Sequence, residues 1–183
     1  MAAHDREKHR ETQEPDFRNH PDYRILLRPL LAKPEDVREL DFFVDADTAA
    51  LYGLYFDSDA DLPHVTGKIY TRADVLFADY RVCCVPALYC DRCLEPVRRE
   101  FSADFSHVIH VTSSQEPPQD PDWDHTDYLY AQDAVLPLAE AVLTDLRLEM
   151  PSKVLCKEDC LGLCPSCGEN RNLGLCKCGE TES

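Results

Sequence analysis

The middle of the chain is a succession of short apolar runs separated by Asp, Gly and Pro. These runs are rich in β-branched and aromatic residues, which favour strands. They lie at 23–31, 40–44, 50–56, 65–70, 73–89 and 101–111. In the last run every second residue from Phe101 is apolar or His, as in a strand with one buried face. The pattern predicts an antiparallel sheet or a small barrel, with Pro29 marking an edge strand.

One helix is predicted, over residues 134–149. Its apolar residues follow the three-and-four spacing of a single stripe. They are Val135, Leu138, Ala139, Val142, Leu143 and Leu146. Asp133 can cap the start, Pro137 fits only the first turn, and Pro151 disfavours a helical Met150. The predicted fold class is therefore α+β, mainly β, with one C-terminal amphipathic helix packed on the sheet.

The segments on either side of these elements are polar. Residues 1–22 are highly charged and lack an apolar core, which predicts a disordered N-terminal arm and no signal peptide. Residues 113–127 form an acidic, Pro-rich loop in which Trp123 either covers the sheet edge or anchors a partner. No run of eighteen apolar residues occurs, so neither a transmembrane helix nor a membrane partner is expected. We divide the chain into this arm, a β-rich domain at 23–150 and a Cys-rich tail at 151–183.

The chain is strongly acidic. It has 19 Lys and Arg against 35 Asp and Glu, a formal net charge of −16. Residues 113–149 contain nine acidic residues and one Arg, and so carry half of this excess. Binding to a nucleic-acid backbone requires clustered basic residues. The charge therefore disfavours general nucleic-acid affinity and favours a basic protein partner.

The tail contains six of the ten cysteines within 156–178, a stretch with little apolar periodicity. In Cys164-Pro-Ser-Cys167-Gly, two thiolates of one tight turn can reach a single ion, and Pro and Gly suit that turn. Cys176 and Cys178 supply a second pair. These four cysteines predict a tetrahedral, zinc-ribbon-like site. Disulfides and a four-cysteine iron site are the alternatives.

A second Cys-x-x-Cys, Cys90-Asp-Arg-Cys93, lies where two strand-like runs meet. It is half of a site, and Cys156 and Cys160 are the tail thiols left to complete it. We therefore predict two Zn²⁺ ions, the first of which clamps the tail onto the sheet. The predicted metal ligands are Cys90, Cys93, Cys156, Cys160, Cys164, Cys167, Cys176 and Cys178. The alternative for Cys90 and Cys93 is a thioredoxin-type redox pair, although no βαβ pattern surrounds them.

Other chemistry has little support. Cys83 and Cys84 are adjacent in a strand-like run, so they point to opposite faces and are expected to be structural thiols. The sequence has no phosphate-binding Gly-rich loop, no Gly-x-Ser-x-Gly and no His-Glu-x-x-His. His107 or His110 beside a cysteine could form a nucleophilic pair, but strand histidines are commonly structural. We therefore expect no enzymatic activity.

Three stretches in the second half of the chain carry a family resemblance. They are Cys90-Asp-Arg-Cys93-Leu-Glu-Pro-Val, Leu146-Arg-Leu-Glu-Met-Pro-Ser-Lys and Cys156-Lys-Glu-Asp-Cys160-Leu-Gly-Leu-Cys164-Pro-Ser-Cys167-Gly. Together they resemble the YceD-like family of large ribosomal RNA subunit accumulation proteins. The likeness covers roughly 23–179 and is specific only in the second half. The family's Asn-Leu-Asn appears here as Asn170-Arg-Asn172.

The resemblance implies a non-enzymatic, cytoplasmic bacterial protein that supports large-subunit ribosomal RNA accumulation through ribosome assembly. The expected partner is an assembly intermediate, a basic ribosomal protein or an assembly factor. Direct ribosomal RNA contact would require the basic residues near the ligands to converge. They are Arg92, Arg98, Arg99, Lys153, Lys157, Arg171 and Lys177. The alternative function is a redox-sensing zinc–thiolate switch with chaperone-like holding activity.

Overall fold

The computed structural model describes residues 23–113, 128–174 and 176–178. The predicted N-terminal arm and nearly all of the predicted acidic loop, including Trp123, lie outside the described residues. Within them the chain is mainly β, which confirms that part of the prediction. None of the helices in this part of the chain is long and apolar enough to cross a membrane.

The described part of the chain contains nine strands and three α-helices. They are β1 (Arg24–Leu26), α1 (Arg28–Ala32), β2 (Val37–Phe43), α2 (Ala46–Leu51), β3 (His64–Arg72), β4 (Val75–Cys84), β5 (Leu88–Tyr89), β6 (Pro96–Val97), β7 (Phe101–Thr112), β8 (Tyr128–Gln132), β9 (Val135–Pro137) and α3 (Leu138–Glu149). Short 3₁₀ turns occupy Asp59–Asp61 and Arg171–Leu173.

The main sheet has seven strands in the order β1-β9-β8-β7-β4-β3-β2 and is curled into a half-barrel. All neighbours are antiparallel except β7 and β8, which are parallel. The prediction of a purely antiparallel sheet is therefore wrong. The connection at 113–127 is long enough to return the chain to the start of a parallel strand, whereas a tight turn is not.

Two predicted strands in the first half are partly helical. The run at 23–31 ends as a strand at Leu26, and Pro29 lies in the first turn of α1, where the missing N–H costs nothing. The run at 50–56 begins inside α2, which ends at Leu51. The carboxylate of Asp45 caps this helix by accepting the Thr48 N–H at 2.8 Å. Asp-Ala-Asp-Thr was thus a helix-start signal that the strand prediction overlooked.

The C-terminal helix begins later than predicted, at Leu138. Residues 135–137 instead form β9, which pairs with β1. Asp133 is not a cap, because Asp133 and Ala134 have φ of 52° and 62° and form the two-residue turn between β8 and β9. The predicted end is correct, since Met150 has ψ of 136° just before Pro151. Helix α3 buries Leu138, Ala139, Val142, Leu143 and Leu146.

The cysteines of β4 lie on opposite faces of the sheet, as predicted. Cys83 is exposed and Cys84 is buried in the core, where burial raises its pKa to about 12. Beyond β4 the chain enters a two-stranded sheet of β5 and β6. This small sheet is held by Asp61, a buried carboxylate that accepts from both terminal nitrogens of Arg98 and from Ser58. The Arg98 hydrogen bonds lower the pKa of Asp61, so the carboxylate stays charged.

Candidate metal centres

Eight cysteines come together in two groups of four. The first cysteine group is Cys90, Cys93, Cys156 and Cys160, and the second is Cys164, Cys167, Cys176 and Cys178. Within each group the sulfur atoms all lie within 4.8 Å of one another. The membership of both groups is that derived from the sequence spacing, although metal ligation itself stays a prediction.

The first group starts from a tight turn between β5 and β6, which we call the first knuckle (residues 90–95). The Cys90 N–H donates to the Glu95 carbonyl at 2.8 Å, and the Leu94 N–H donates to the Cys90 carbonyl at 2.9 Å. These two bonds close the turn and bring the thiols of Cys90 and Cys93 to the same side. Leu94 is forced into the left-handed region, with φ of 60°.

The second group starts from the same turn, the second knuckle (residues 164–169). The Cys164 N–H donates to the Glu169 carbonyl at 2.8 Å, and the Gly168 N–H donates to the Cys164 carbonyl at 2.9 Å. Gly168 has φ of 76° and occupies the position that Leu94 has in the first knuckle. Two segments with different sequences between their cysteines therefore adopt one hydrogen-bonding pattern.

Backbone N–H groups surround the first sulfur of each knuckle. Burial alone would raise the pKa of Cys90, but donors from Cys156, Arg92 and Cys93 hold it at about 6. The N–H groups of Cys167 and Ser166 likewise lower the pKa of Cys164 to about 6. Hydrogen bonds to the charged form favour a thiolate, which is the form that binds a metal.

The sulfur separations fit a tetrahedral metal site. Three sulfur pairs, Cys90–Cys160, Cys93–Cys156 and Cys167–Cys176, lie 3.7, 3.6 and 3.7 Å apart. Four sulfurs about 2.3 Å from a tetrahedral Zn²⁺ would be about 3.8 Å apart. These distances are much longer than a disulfide bond of about 2.05 Å. Both groups thus have the donor type and spacing for one four-coordinate ion each, without distinguishing zinc from iron.

Comparison with known proteins agrees with this arrangement. A family model described as "Large ribosomal RNA subunit accumulation protein YceD" matches residues 78–183, more than half of the chain. The chain belongs to the YceD family. The matched region begins in β4 and contains both cysteine groups.

The individual relatives are distant. The maize protein named "Large ribosomal RNA subunit accumulation protein YCED homolog 1, chloroplastic" is 27% identical over 139 residues, which are 62% of this chain and 47% of the maize protein. An uncharacterized protein of Mycobacterium tuberculosis is 29% identical over 79 residues, 43% of this chain and 37% of that protein. The chain thus spans less than half the length of either relative. No solved structure matches it.

Hydrogen bonds, as well as sulfur, attach the tail of this YceD-family chain to the first knuckle. Asp91 binds Val154 twice: its N–H donates to the Val154 carbonyl at 2.8 Å, and its carboxylate accepts the Val154 N–H at 2.6 Å. Arg92 donates from Nη1 to the Cys160 carbonyl at 2.9 Å, and its own carbonyl accepts the Leu163 N–H at 3.0 Å. Asp91 and Arg92, the two residues between the cysteines of the first knuckle, are therefore both hydrogen-bonded to the tail.

Two asparagines connect the cysteine groups to each other. The Asn172 side chain donates to the Cys160 sulfur at 3.3 Å and accepts the Leu161 N–H at 2.9 Å. It also donates to the Asn170 side-chain carbonyl at 2.7 Å, and Asn170 donates to the Glu95 carboxylate at 3.2 Å. This pair links a sulfur of the first group to the chain that leaves the second knuckle. Such support orients ligands and fixes their charge.

The two groups differ in burial. Cys90, Cys93 and Cys160 are buried in a small apolar cluster with Val97, Leu155 and Leu163. In the second group only Cys164 is buried, whereas Cys167 and Cys178 are exposed. Cys156 is the exposed member of the first group, so solvent reaches one sulfur of the first group and at least two of the second.

The sequence analysis missed several supporting residues. Asp91 was given no role, and Arg92 was considered only for RNA contact. Aligning the two Cys-x-x-Cys motifs would have marked Leu94 as a glycine-like position. The thioredoxin-type alternative lacks its usual helix, because the first knuckle runs into β6. Of the predicted basic residues, Arg92, Arg98 and Lys157 contact groups of the chain itself. These contacts reduce the charge available for a common basic face.

We predict that the purified protein binds two equivalents of metal. Replacing a buried sulfur in one group removes one donor of four, so Cys90→Ser and Cys164→Ser should each lower the content to one equivalent by elemental analysis. Cys83→Ser, which changes an exposed thiol outside both groups, should leave two equivalents. One equivalent in the wild-type protein would contradict two occupied sites.

We also predict opposite effects at the two left-handed positions. Leu94→Gly relieves a conformation that costs a side-chain-bearing residue about 1–2 kcal/mol, so it should stabilise the metal-loaded protein by about 1 kcal/mol or less. Gly168→Ala should destabilise it by about 1 kcal/mol, although a Cβ there meets no atom within 4 Å. Urea unfolding of the loaded protein measures both changes.

Leu94→Ala is the matched control, because it removes most of the exposed side chain and keeps the left-handed backbone. It should give none of the gain that Leu94→Gly gives. An equal gain from both variants would attribute the effect to the exposed leucine side chain instead of the backbone.

Proposed function

We propose that this chain is a non-enzymatic, cytoplasmic bacterial protein that supports accumulation of large-subunit ribosomal RNA by acting in ribosome assembly. In this proposal the eight cysteines hold two Zn²⁺ ions and turn residues 151–183 into a rigid tail docked on the β domain at 23–150. The observation that carries the proposal is the family match over 78–183, which includes both cysteine groups. Four sulfurs around each ion leave no open coordination position, which favours a structural metal over a catalytic one.

The partner in this proposal is a basic ribosomal protein or an assembly factor on an assembly intermediate. The formal charge of −16 supports it, because an acidic surface attracts basic proteins and repels the phosphate backbone. Three of the seven basic residues near the ligands already contact groups of this chain. Direct RNA contact would therefore depend on the other four, Arg99, Lys153, Arg171 and Lys177.

A deletion strain tests the assembly role. We expect loss of the protein to lower large-subunit ribosomal RNA relative to small-subunit ribosomal RNA, and the wild-type gene to restore the ratio. Cys90→Ser should fail to restore it, because it releases the tail from the sheet, whereas Cys83→Ser should succeed. An unchanged ratio in the deletion strain would refute the proposed function.

The exposure of the second group favours one further candidate, the redox-sensing switch with holding activity. Two thiols of the second group, Cys167 and Cys178, are exposed, against Cys156 alone in the first group, so peroxide would meet more exposed sulfur in the second group. Under the assembly proposal, peroxide titration releases the second metal first, and the oxidised protein does not suppress aggregation of a chemically unfolded client. If metal release and client holding instead rise together, the switch replaces the assembly platform.

The control for this titration is Cys164→Ser, which already lacks the second metal. It should show a single, later release from the first group. Release of both metals at the same peroxide concentration in the wild-type protein would contradict the burial difference between the groups.

A further inference from the structure

A groove of 410 Å³ lies between α3 and strands β7, β8 and β9, and neither cysteine group lines it. Its wall combines carboxylates, aromatic rings and an exposed apolar side chain. The residues that matter here are Glu140, Asp145 and Leu148 from α3, Tyr128 and Tyr130 from β8, and His107 from β7. Pockets that combine apolar surface with a few polar groups are typical binding sites.

His107 has an unused hydrogen-bonding atom. The residue is 6% exposed, and its Nε2 lies 2.9 Å from the Asp145 carboxylate, which also accepts from the Tyr80 hydroxyl. Its Nδ1 is buried and has no partner among the described residues. In the neutral tautomer that donates from Nε2 to Asp145, Nδ1 is an acceptor. Buried polar atoms nearly always have partners, so in this tautomer Nδ1 lacks a donor.

The charges of the groove specify what kind of donor fits. Among the described residues, two carboxylates line it, Glu140 and Asp145, and no Lys or Arg does. Tyrosine rings attract cations, and a guanidinium offers several N–H donors together with a flat face for stacking. Leu148, with 74% exposure, provides apolar surface for the aliphatic part of such a side chain.

We propose that this groove binds an arginine side chain of a basic protein partner. The inference rests on the proposed function, because it assigns the docking surface of the partner proposed there. Residues 114–127 contain no Lys or Arg and cannot supply the cation. Residues 1–22 contain four Lys and Arg but six Asp and Glu, so the arm as a whole does not complement an acidic groove.

The binding test uses an acetylated and amidated peptide of alternating Gly and Arg, titrated into the full-length, metal-loaded protein. We expect Arg to bind more tightly than Lys in the same peptide, and a Glu version not to bind. Glu140→Lys should weaken Arg-peptide binding by about tenfold or more, because it places a like charge at the contact. Backbone amide NMR signals of Ala141 and Thr144 should shift on binding.

Glu39→Lys is the matched control, since it makes the same charge change on exposed β2. That strand is four positions from β8 in the sheet, about 19 Å away. At physiological salt, screening should hold the effect of Glu39→Lys on peptide affinity below about twofold.

Leu148→Ala should also weaken peptide binding, whereas Leu51→Ala, at a similarly exposed leucine outside the groove, should not. Equal losses from Glu140→Lys and Glu39→Lys would overturn the inference, since net charge alone would explain them.

Two further experiments test for other occupants of the groove. If removal of residues 1–22 creates peptide binding that the full chain lacks, the arm is the occupant and the inference is wrong. If single-stranded RNA competes with the peptide and binds Glu140→Lys more tightly than the wild type, the groove is not a protein-docking site.

In cells, complementation separates this inference from the proposed function. Glu140→Lys should fail to restore the large-subunit ribosomal RNA that the wild-type gene restores. Full restoration by Glu140→Lys would overturn the inference that the groove binds the partner, and it would leave the assembly role unaffected. A deletion strain with normal ribosomal RNA would refute the assembly role, while the peptide titration would still decide what the groove binds.

Discussion

The contact between two sulfur pairs that are far apart in the sequence determines how the second half of the chain is arranged. Cys90 and Cys93 belong to a turn at the end of a small sheet, while Cys156 and Cys160 follow the C-terminal helix, yet their sulfurs lie 3.6–3.7 Å apart. Four thiolates so close would repel one another without a cation between them. The described part of the tail shares a small apolar cluster with the first knuckle and β6, so an ion held by these four sulfurs would be its strongest link to the sheet.

Hydrogen bonds within the chain position these cysteines independently of a metal. Each knuckle is closed by the same two backbone bonds, and N–H groups of that turn lower the pKa of its first cysteine, joined at Cys90 by the N–H of Cys156 from the tail. Asp91 and Arg92 then hold the tail against the first knuckle, and Asn172 reaches a sulfur from the far side. Preorganised ligands lose less entropy on binding, and such supporting partners raise metal affinity.

The sequence was most informative where the chemistry is local. Ligand spacing within each Cys-x-x-Cys and a simple count of the remaining thiols gave the membership of both groups, and the proline after Met150 gave the end of α3. The direction of β8 could not be derived, because it depends on the path of residues 113–127 through space. The late start of α3 was missed because Val135 satisfies both the helical stripe and a short strand.

Hydrogen bonds between residues far apart in the sequence could not be predicted either. Nothing near His107 in the sequence indicates that Asp145, 38 residues later, would accept its hydrogen bond. The same is true of Asp61 and Arg98, which join the 3₁₀ turn to the chain after β6. Pairs of this kind become visible only once the sheet order is known, since that order decides which buried carboxylate faces which base.

The unequal surroundings of the two cysteine groups suggest a division of labour under the proposed function. Three of the four sulfurs of the first group are buried beside apolar side chains, Cys156 is exposed, and Asp91, Arg92 and Asn172 add hydrogen bonds, so losing its ion would undo the attachment of the whole tail. The second group buries only Cys164, and its ion would shape only the knuckle and the chain around it. An assembly protein needs its tail to stay attached while a surface remains open for a partner. A mostly buried metal site beside a more exposed one provides both.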